Sequence, residues 1–268
     1  MILKRIEMTL ASISVVLPTY NRQGRLSTCL ESLERQTLEL NRFEVIVVND
    51  GSDDGTSNYL KEFSKKTNLT FKFINQQNSG PATARNKGVE SSVEEYIAFI
   101  DDDCVASERW LEDYLSMLPL TLGCAGVGGR IKNVNEDPRE SFLEVLGVNQ
   151  HSEPNKIGHT SYLITANALY KKEAFENVRG FDQQLNVPGG EDSDLSQRMI
   201  ERGFHLKVSD RAVVFHHDRI GVISIYKTLK LYGYGEKMRA VKGSIPFVYT
   251  GPKALLYLFK YLNGKYLA

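Results

Sequence analysis

"AFIDDDCVAS", residues 98–107, runs an apolar segment straight into three consecutive aspartates, Asp101, Asp102 and Asp103. Neighbouring carboxylates repel one another, so their place at the end of a buried strand asks for a solvated loop or a cation. Working outward, "YIAFI" (96–100) has three counterparts upstream: "ISVVLP" (13–18), "FEVIVV" (43–48) and "TFKFI" (70–74). Between them lie helical patterns. Leu26, Cys29, Leu30 and Leu33 keep the i, i+3, i+4, i+7 spacing, "YLKEF" (59–63) sits in the second gap, and a helix is expected across "PATARNKGVESS" (81–92).

The order β-α-β-α-β-α-β with short apolar strands predicts an α/β fold, a mostly parallel central sheet with helices on both faces. "NDGSDD" (49–54) and Asp101–Asp103 then fall just past the carboxyl ends of the second and fourth strands, the edge where such sheets bind ligands. The second half is less regular. It holds a glycine-rich patch "GCAGVGGR" (123–130), a strand-like "SYLIT" (161–165), a helix beginning in "GGEDSDLSQRMIERG" with Gly203 as its stop, and strands at "FHLKV" (204–208) and "AVVFH" (212–216). Helices are expected over about 222–240 and at "PKALLYLFKYL" (252–262).

With 268 residues and 41% hydrophobic content, the chain can bury a full core. No run of about 18 apolar residues occurs, and Lys4, Arg5 and Glu7 interrupt the opening segment, so the sequence predicts neither a membrane span nor a signal peptide and a cytoplasmic location. Cys29, Cys104 and Cys124 have no CxxC spacing and read as buried thiols. The net charge of zero conceals a split: from Arg219 onward nine Lys/Arg face only Glu236, leaving +8 there and −8 before it. Such a basic end, interleaved with tyrosine and phenylalanine, suits an anionic membrane or a lipid-phosphate carrier; packing against the rest of the chain is the equal alternative. Nucleic acid is not an expected partner, for no recognised binding motif accompanies the charge.

Hard oxygen ligands at a cleft edge suit Mg²⁺ or Mn²⁺, which bind through one or two carboxylates plus substrate phosphates. A bound cation would turn the repulsion within Asp101–Asp103 into coordination; a loop that caps the helix near Ser107 is the plainer alternative. Asp50 follows a strand and can accept from a base N–H, or simply shape a turn. Arg85, early in its helix, is placed to reach a diphosphate or solvent. Glu191 and Asp192 open a helix after Gly189–Gly190, where acids also serve the helix dipole. His216 or His217, ending the last strand, can add a metal ligand.

The series "LPTYNR", "VVNDGSDDGT", "GPATARNKG", "IDDD", "GGED", "HHDR" along residues 13–219 resembles the non-processive, inverting family 2 glycosyltransferases with the GT-A fold. That resemblance implies a GT-A catalytic domain over 1–218, with a nucleotide-binding half near 12–104 and an acceptor-binding half near 105–218. A basic, aromatic, helical extension over 219–268 follows. It implies that Pro18, Thr19 and Tyr20 lie against the nucleotide, that Asp50 bonds the base, and that Arg85 reaches base and phosphates. Asp101 and Asp102 belong to the donor site, Asp103 and His216 ligate the cation, Asp192 is the general base, and Asn167 and Glu191 serve donor sugar or acceptor. The expected partners are a nucleotide-diphosphate sugar, UDP first, and a saccharide or lipid-linked acceptor as in polysaccharide biosynthesis, with peripheral contact at the inner membrane face. The QxxRW motif of processive members is missing; the single tryptophan is Trp110. Other readings of the same residues are a glycoside hydrolase, a metal-dependent sugar nucleotidyltransferase lacking the usual glycine-rich first loop, and a non-catalytic sugar-nucleotide-binding module.

Overall fold

The computed structural model describes residues 12–134 and 150–217, with a few positions between 227 and 239. The expected helix at 252–262 and much of that at 222–240 lie outside the described residues. The first half follows its sequence pattern closely: β1 (Ile13–Thr19), α1 (Gln23–Glu34), β2 (Phe43–Asn49), α2 (Thr56–Ser64), β3 (Thr70–Asn75), α3 (Pro81–Glu90) and β4 (Tyr96–Ile100). These four strands pair in parallel in the order β3-β2-β1-β4.

Alternation along each strand sorts the core into two layers. Val15, Leu17, Ala98 and Ile100 face α1, α2 and the later α4 (Trp110–Leu115), packing with Leu30, Leu60 and Trp110. Val16, Ile97 and Phe99 face the opposite layer, which includes Ala82 and Val89 of α3. Contact there is close: a Cβ on Gly88 would stand 2.4 Å from Val16 Cγ1, so α3 packs on β1 at a distance only glycine permits.

The sheet continues through segments that read as irregular. Beyond β4 come β8 (Asn167–Lys171), β6 (Cys124–Gly128) and β9 (His205–Val208). β8 runs antiparallel to both β4 and β6, and β9 is parallel to β6. The glycine-rich patch is therefore a central strand. A Cβ on Gly126 would meet Tyr170 Cδ1 at 2.6 Å, and one on Gly128 would meet His151 Nε2 at 2.5 Å, so glycine marks close approach rather than a loop. The expected strand at 161–165 is corrected: outside a single bridge at Thr160 that stretch is non-repetitive, and the strand begins at Asn167.

A separate three-stranded sheet of β5 (Cys104–Ala106), β10 (Val214–His216) and β7 (Ile131–Asn133) starts where β4 ends, just past the three aspartates. Helices α5 (Lys172–Asn177) and α6 (Glu191–Glu201) complete the second layer through Phe175, Leu195 and Met199. His151 pins the segment before β8: its Nδ1 accepts from Ile164 N–H, so Nε2 carries the proton and donates to Gly129 O at 2.7 Å. Burial holds this ring neutral, lowering its pKa to about 4.

Gly88→Ala should destabilise the chain by about 1–3 kcal/mol through overpacking, measured by urea denaturation; adding Val16→Ala should recover part of the loss by making room for the new methyl.

Candidate functional site

The site is built where β1, β2 and β4 end. Asp101, Asp102 and Asp103 form the turn from β4 into β5, closed by Cys104 N–H donating to Asp101 O at 3.0 Å. Each aspartate has its own partner. Asp101 Oδ1 accepts from Arg85 Nη2 at 2.8 Å. Asp102 accepts from Thr19 Oγ1 at 2.8 Å and Arg22 Nη1 at 2.9 Å. Asp103 Oδ2 accepts from Arg22 Nη1 at 2.6 Å, while its Oδ1 lies 3.3 Å from His216 Nε2. The repulsion is thus answered inside the protein by two guanidiniums and an imidazole.

Burial raises Asp102 to about 7 although Arg22 opposes it. Burial pushes Asp103 the same way, but His216 and then Arg22 hold its carboxyl well below the usual range. Asp103 therefore stays anionic. Arg22, quoted within "LPTYNR" but given no role by its sequence, proves to be the residue that bridges this pair. Only its place three residues past the end of β1 could have drawn attention to it.

Arg85, expected at the base and phosphates, is paired within the protein. Its side chain is 5% exposed, and its two Nη groups are committed to Asp101 and to Glu191 Oε1 at 3.2 Å. Its Cζ lies 5.7 Å from the Phe181 ring centroid, and its Nε finds no hydrogen-bond partner among the described residues. The guanidinium is a strut between the β4 turn and the start of α6. Glu191, expected at acceptor or sugar, is likewise buried and turned inward, with Oε2 accepting from Gly189 N–H at 2.7 Å.

α6 begins after Gly189 and Gly190, both with positive φ, which sets its first turn abruptly against the sheet edge. Asp192 in that turn accepts from Thr165 Oγ1 at 2.8 Å and Thr165 N–H at 3.2 Å. Burial first, then the Glu191 charge, raise its carboxyl to about 7, with Arg85 opposing. Thr165 had no sequence signal; it is recognisable only once β8 is placed.

One further expectation is corrected. Asn167 is fully buried: Oδ1 accepts from Trp110 Nε1 and Tyr114 OH, and Nδ2 donates to Arg130 O and Ala212 O. All four of its amide hydrogen-bonding positions are used, leaving none for a sugar. Pro18 and Thr19 belong to β1 itself, with Thr19 turned to Asp102; Tyr20, 48% exposed, is the most open residue of that trio. Asp50 accepts from Gln76 Nε2 and from the backbone N–H groups of Ser79 and Gly80, all within 2.9 Å, and so shapes the loop entering α3.

Asp103, Cys104 and His216 form a group of potential metal ligands within 4.8 Å of one another. The thiol does not suit a hard cation: burial and the neighbouring carboxylates hold Cys104 protonated, its pKa well above the usual value. The carboxylate and imidazole do suit one. Cis donors of an octahedral site at about 2.1 Å are roughly 3 Å apart, close to the Asp103–His216 separation, and the other positions would fall to water and phosphate. His217 instead donates its backbone N–H to Asp103 O at 2.8 Å.

A half-parallel, half-mixed sheet with an aspartate turn at the switch between its halves defines the GT-A class of nucleotide-sugar-binding domains. Solved structures share it. Mannosyltransferase PcManGT from Pyrobaculum calidifontis, in complex with GDP-Man and Mn²⁺, matches with TM-score 0.62 at 19% identity, covering 93% of this chain and 79% of that one. TarS residues 1–349 of S. aureus, in complex with UDP, match with TM-score 0.59 at 21% identity over 84% of this chain and 65% of that one. The model for glycosyl transferase family 2 matches residues 14–179, and the chain belongs to that family. A second model, described as the N-terminal domain of galactosyltransferase, matches residues 149–220.

Among curated relatives, Glycosyltransferase AglE of Haloferax volcanii is 29% identical over 80% of this chain and 67% of its own length. The putative glycosyltransferase EpsH of Bacillus subtilis is 40% identical over 43% of this chain and 32% of its own. Validoxylamine A glucosyltransferase of Streptomyces hygroscopicus subsp. jinggangensis is 29% identical over 74% of this chain. The chain spans only about half of that last relative and a third of EpsH.

Arg85→Ala should cost about 3–5 kcal/mol because it leaves the buried Glu191 carboxylate and the half-buried Asp101 carboxylate without their shared counter-charge. Urea denaturation reads the loss, and Glu191→Gln placed in the same background should recover part of it.

Proposed function

We propose that the chain is an inverting glycosyltransferase that moves a sugar from a nucleoside-diphosphate donor, UDP-sugar first, to a hydroxyl of a saccharide or lipid-linked acceptor. The observation that carries this reading is Asp192: a carboxylate at the start of α6, both oxygens held by Thr165, with its pKa lifted to about 7. That value suits a general base at neutral pH. The named relatives, and matching structures solved in complex with UDP, UDP-GlcNAc and GDP-Man, support a nucleotide-sugar donor.

Thr165 donates to Asp192 through Oγ1 and N–H, which fixes the carboxylate's orientation. In the displacement, Asp192 takes the acceptor hydroxyl proton as the oxygen bonds the anomeric carbon. The bond from that carbon to the donor phosphate breaks, and the nucleoside diphosphate leaves with its electrons, so configuration inverts. A Mg²⁺ or Mn²⁺ held by Asp103 and His216 would supply charge stabilisation to the departing diphosphate. Asp103, held anionic, provides the carboxylate this needs. In this reading the loop shaped by Asp50, with the exposed Tyr20, would take the base, and Asp101 would serve the ribose side.

Asp192→Asn should lower kcat by about 10²–10⁴-fold while leaving donor affinity near the parent value, read by turnover and calorimetric UDP titration; full cation-dependent turnover would overturn the base assignment. In the parent, kcat/KM should fall as pH drops through about 7, since the base must be unprotonated. The sign for stability is opposite: the folded chain binds this proton more tightly than the unfolded chain, so stability falls as pH rises from the ordinary carboxylate range through about 7. Asp192→Asn should flatten that slope in pH-resolved thermal melts. Asp103→Asn should remove the cation dependence of UDP binding, measured as the ratio of affinities with Mn²⁺ and with EDTA.

A further inference from the structure

Residues from 219 onward carry nine Lys/Arg against one Glu, and the described part of them shows how this charge is displayed. Lys227, Lys230, Leu231, Gly233, Tyr234 and residues 237–239 are helical. At about 100° per residue, Lys227, Lys230, Tyr234 and Lys237 share an arc of about 80°. All four are exposed, Tyr234 to 54%. Arg239 points elsewhere: it is 3% exposed and donates from Nη1 to Gln197 Oε1 at 3.0 Å. Gln197 belongs to α6, the helix whose first turn carries Asp192.

We propose that this lysine and tyrosine face docks on an anionic phospholipid surface. Charge complementarity selects the partner. Three ammonium groups on flexible apolar stems, with one amphipathic ring between them, suit a headgroup layer that accepts charge without fixed geometry and takes an aromatic ring at its boundary. Among the described residues of this face there is neither an acidic side chain nor an aliphatic ridge of the kind a protein groove would bind. No helix of the described residues is long and apolar enough to cross a membrane, and the contact proposed is a peripheral one. The buried Arg239 ties the lipid-facing helix to α6. Resting on the proposed function, this orientation deepens it: the acceptor is one carried by a lipid and delivered at the bilayer surface.

The test is flotation of the purified chain with phosphatidylcholine vesicles, with and without about one third phosphatidylglycerol. The parent should float only with the anionic vesicles and be released by salt. Each lysine contributes roughly fivefold in partition, so Lys227→Glu, Lys230→Glu and Lys237→Glu together should lower binding on the order of a hundredfold or more. The milder replacement of the same three by Gln should lose less. Thermal unfolding and Mn²⁺-dependent UDP titration of these variants should match the parent, since the lysines lie outside the candidate site. Equal flotation of parent and triple-Glu variant overturns the proposal, as does equal binding to neutral vesicles, or binding to an acidic polymer without binding to vesicles. Failure of UDP binding in every protein alongside intact flotation would instead count against the enzymatic reading alone.

Discussion

Arg22 and Arg85 stand against five carboxylates crowded at one end of the sheet, and the arrangement of the site follows from that balance. Arg22 spans Asp102 and Asp103, so the β4 turn keeps its shape although its side chains repel. Arg85 spans Asp101 and Glu191, joining two segments that are 90 residues apart in the chain. Removing a buried counter-charge is far more costly than the net worth of the pair, because the carboxylates left behind have lost water without replacement. The two arginines thus fix where the turn and α6 sit relative to each other, and Asp192 inherits its position from that.

The second half of the sheet is held by small residues and buried amides instead of charge. Gly126 and Gly128 let Tyr170 and His151 approach β6 closely, and Asn167 collects two donors and two carbonyls at the first residue of β8. A fully satisfied buried amide of this kind specifies one arrangement of its neighbours. It joins α4, β8 and the loops before β7 and β10. Thr165, two residues before Asn167, is placed by the same anchor, which links a core hydrogen-bond cluster to the orientation of Asp192.

Legibility in the sequence followed physical periodicity. β1 to β4 and α1 to α3 could be read because their apolar residues repeat at strand and helix spacing and their ends carry turn chemistry. β6 could not, since its glycines imitate a loop, and "SYLIT" imitated a strand while its backbone follows the loop over Ser152. At the site, acidic residues announced themselves by clustering at strand ends and at a helix start. Their partners did not: Arg22 and Thr165 act across tertiary contacts that no local pattern encodes. Asn167 misled because an amide near a motif looks the same in sequence whether its hydrogen bonds go to ligand or to core.

The three thiols give the chain a chemical property of its own. Cys29, Cys104 and Cys124 are all buried, and the first two adjoin the aspartate turn, with Cys29 Sγ 3.6 Å from Asp101 O. Burial and then the nearby carboxylates hold both of these in the protonated form, where sulfur is a poor nucleophile. Alkylating reagents and mild oxidants therefore have no thiolate to attack while the aspartate turn is intact. Labelling of Cys29 and Cys104 becomes a clock for local opening of that sheet edge, one that runs without any substrate being present.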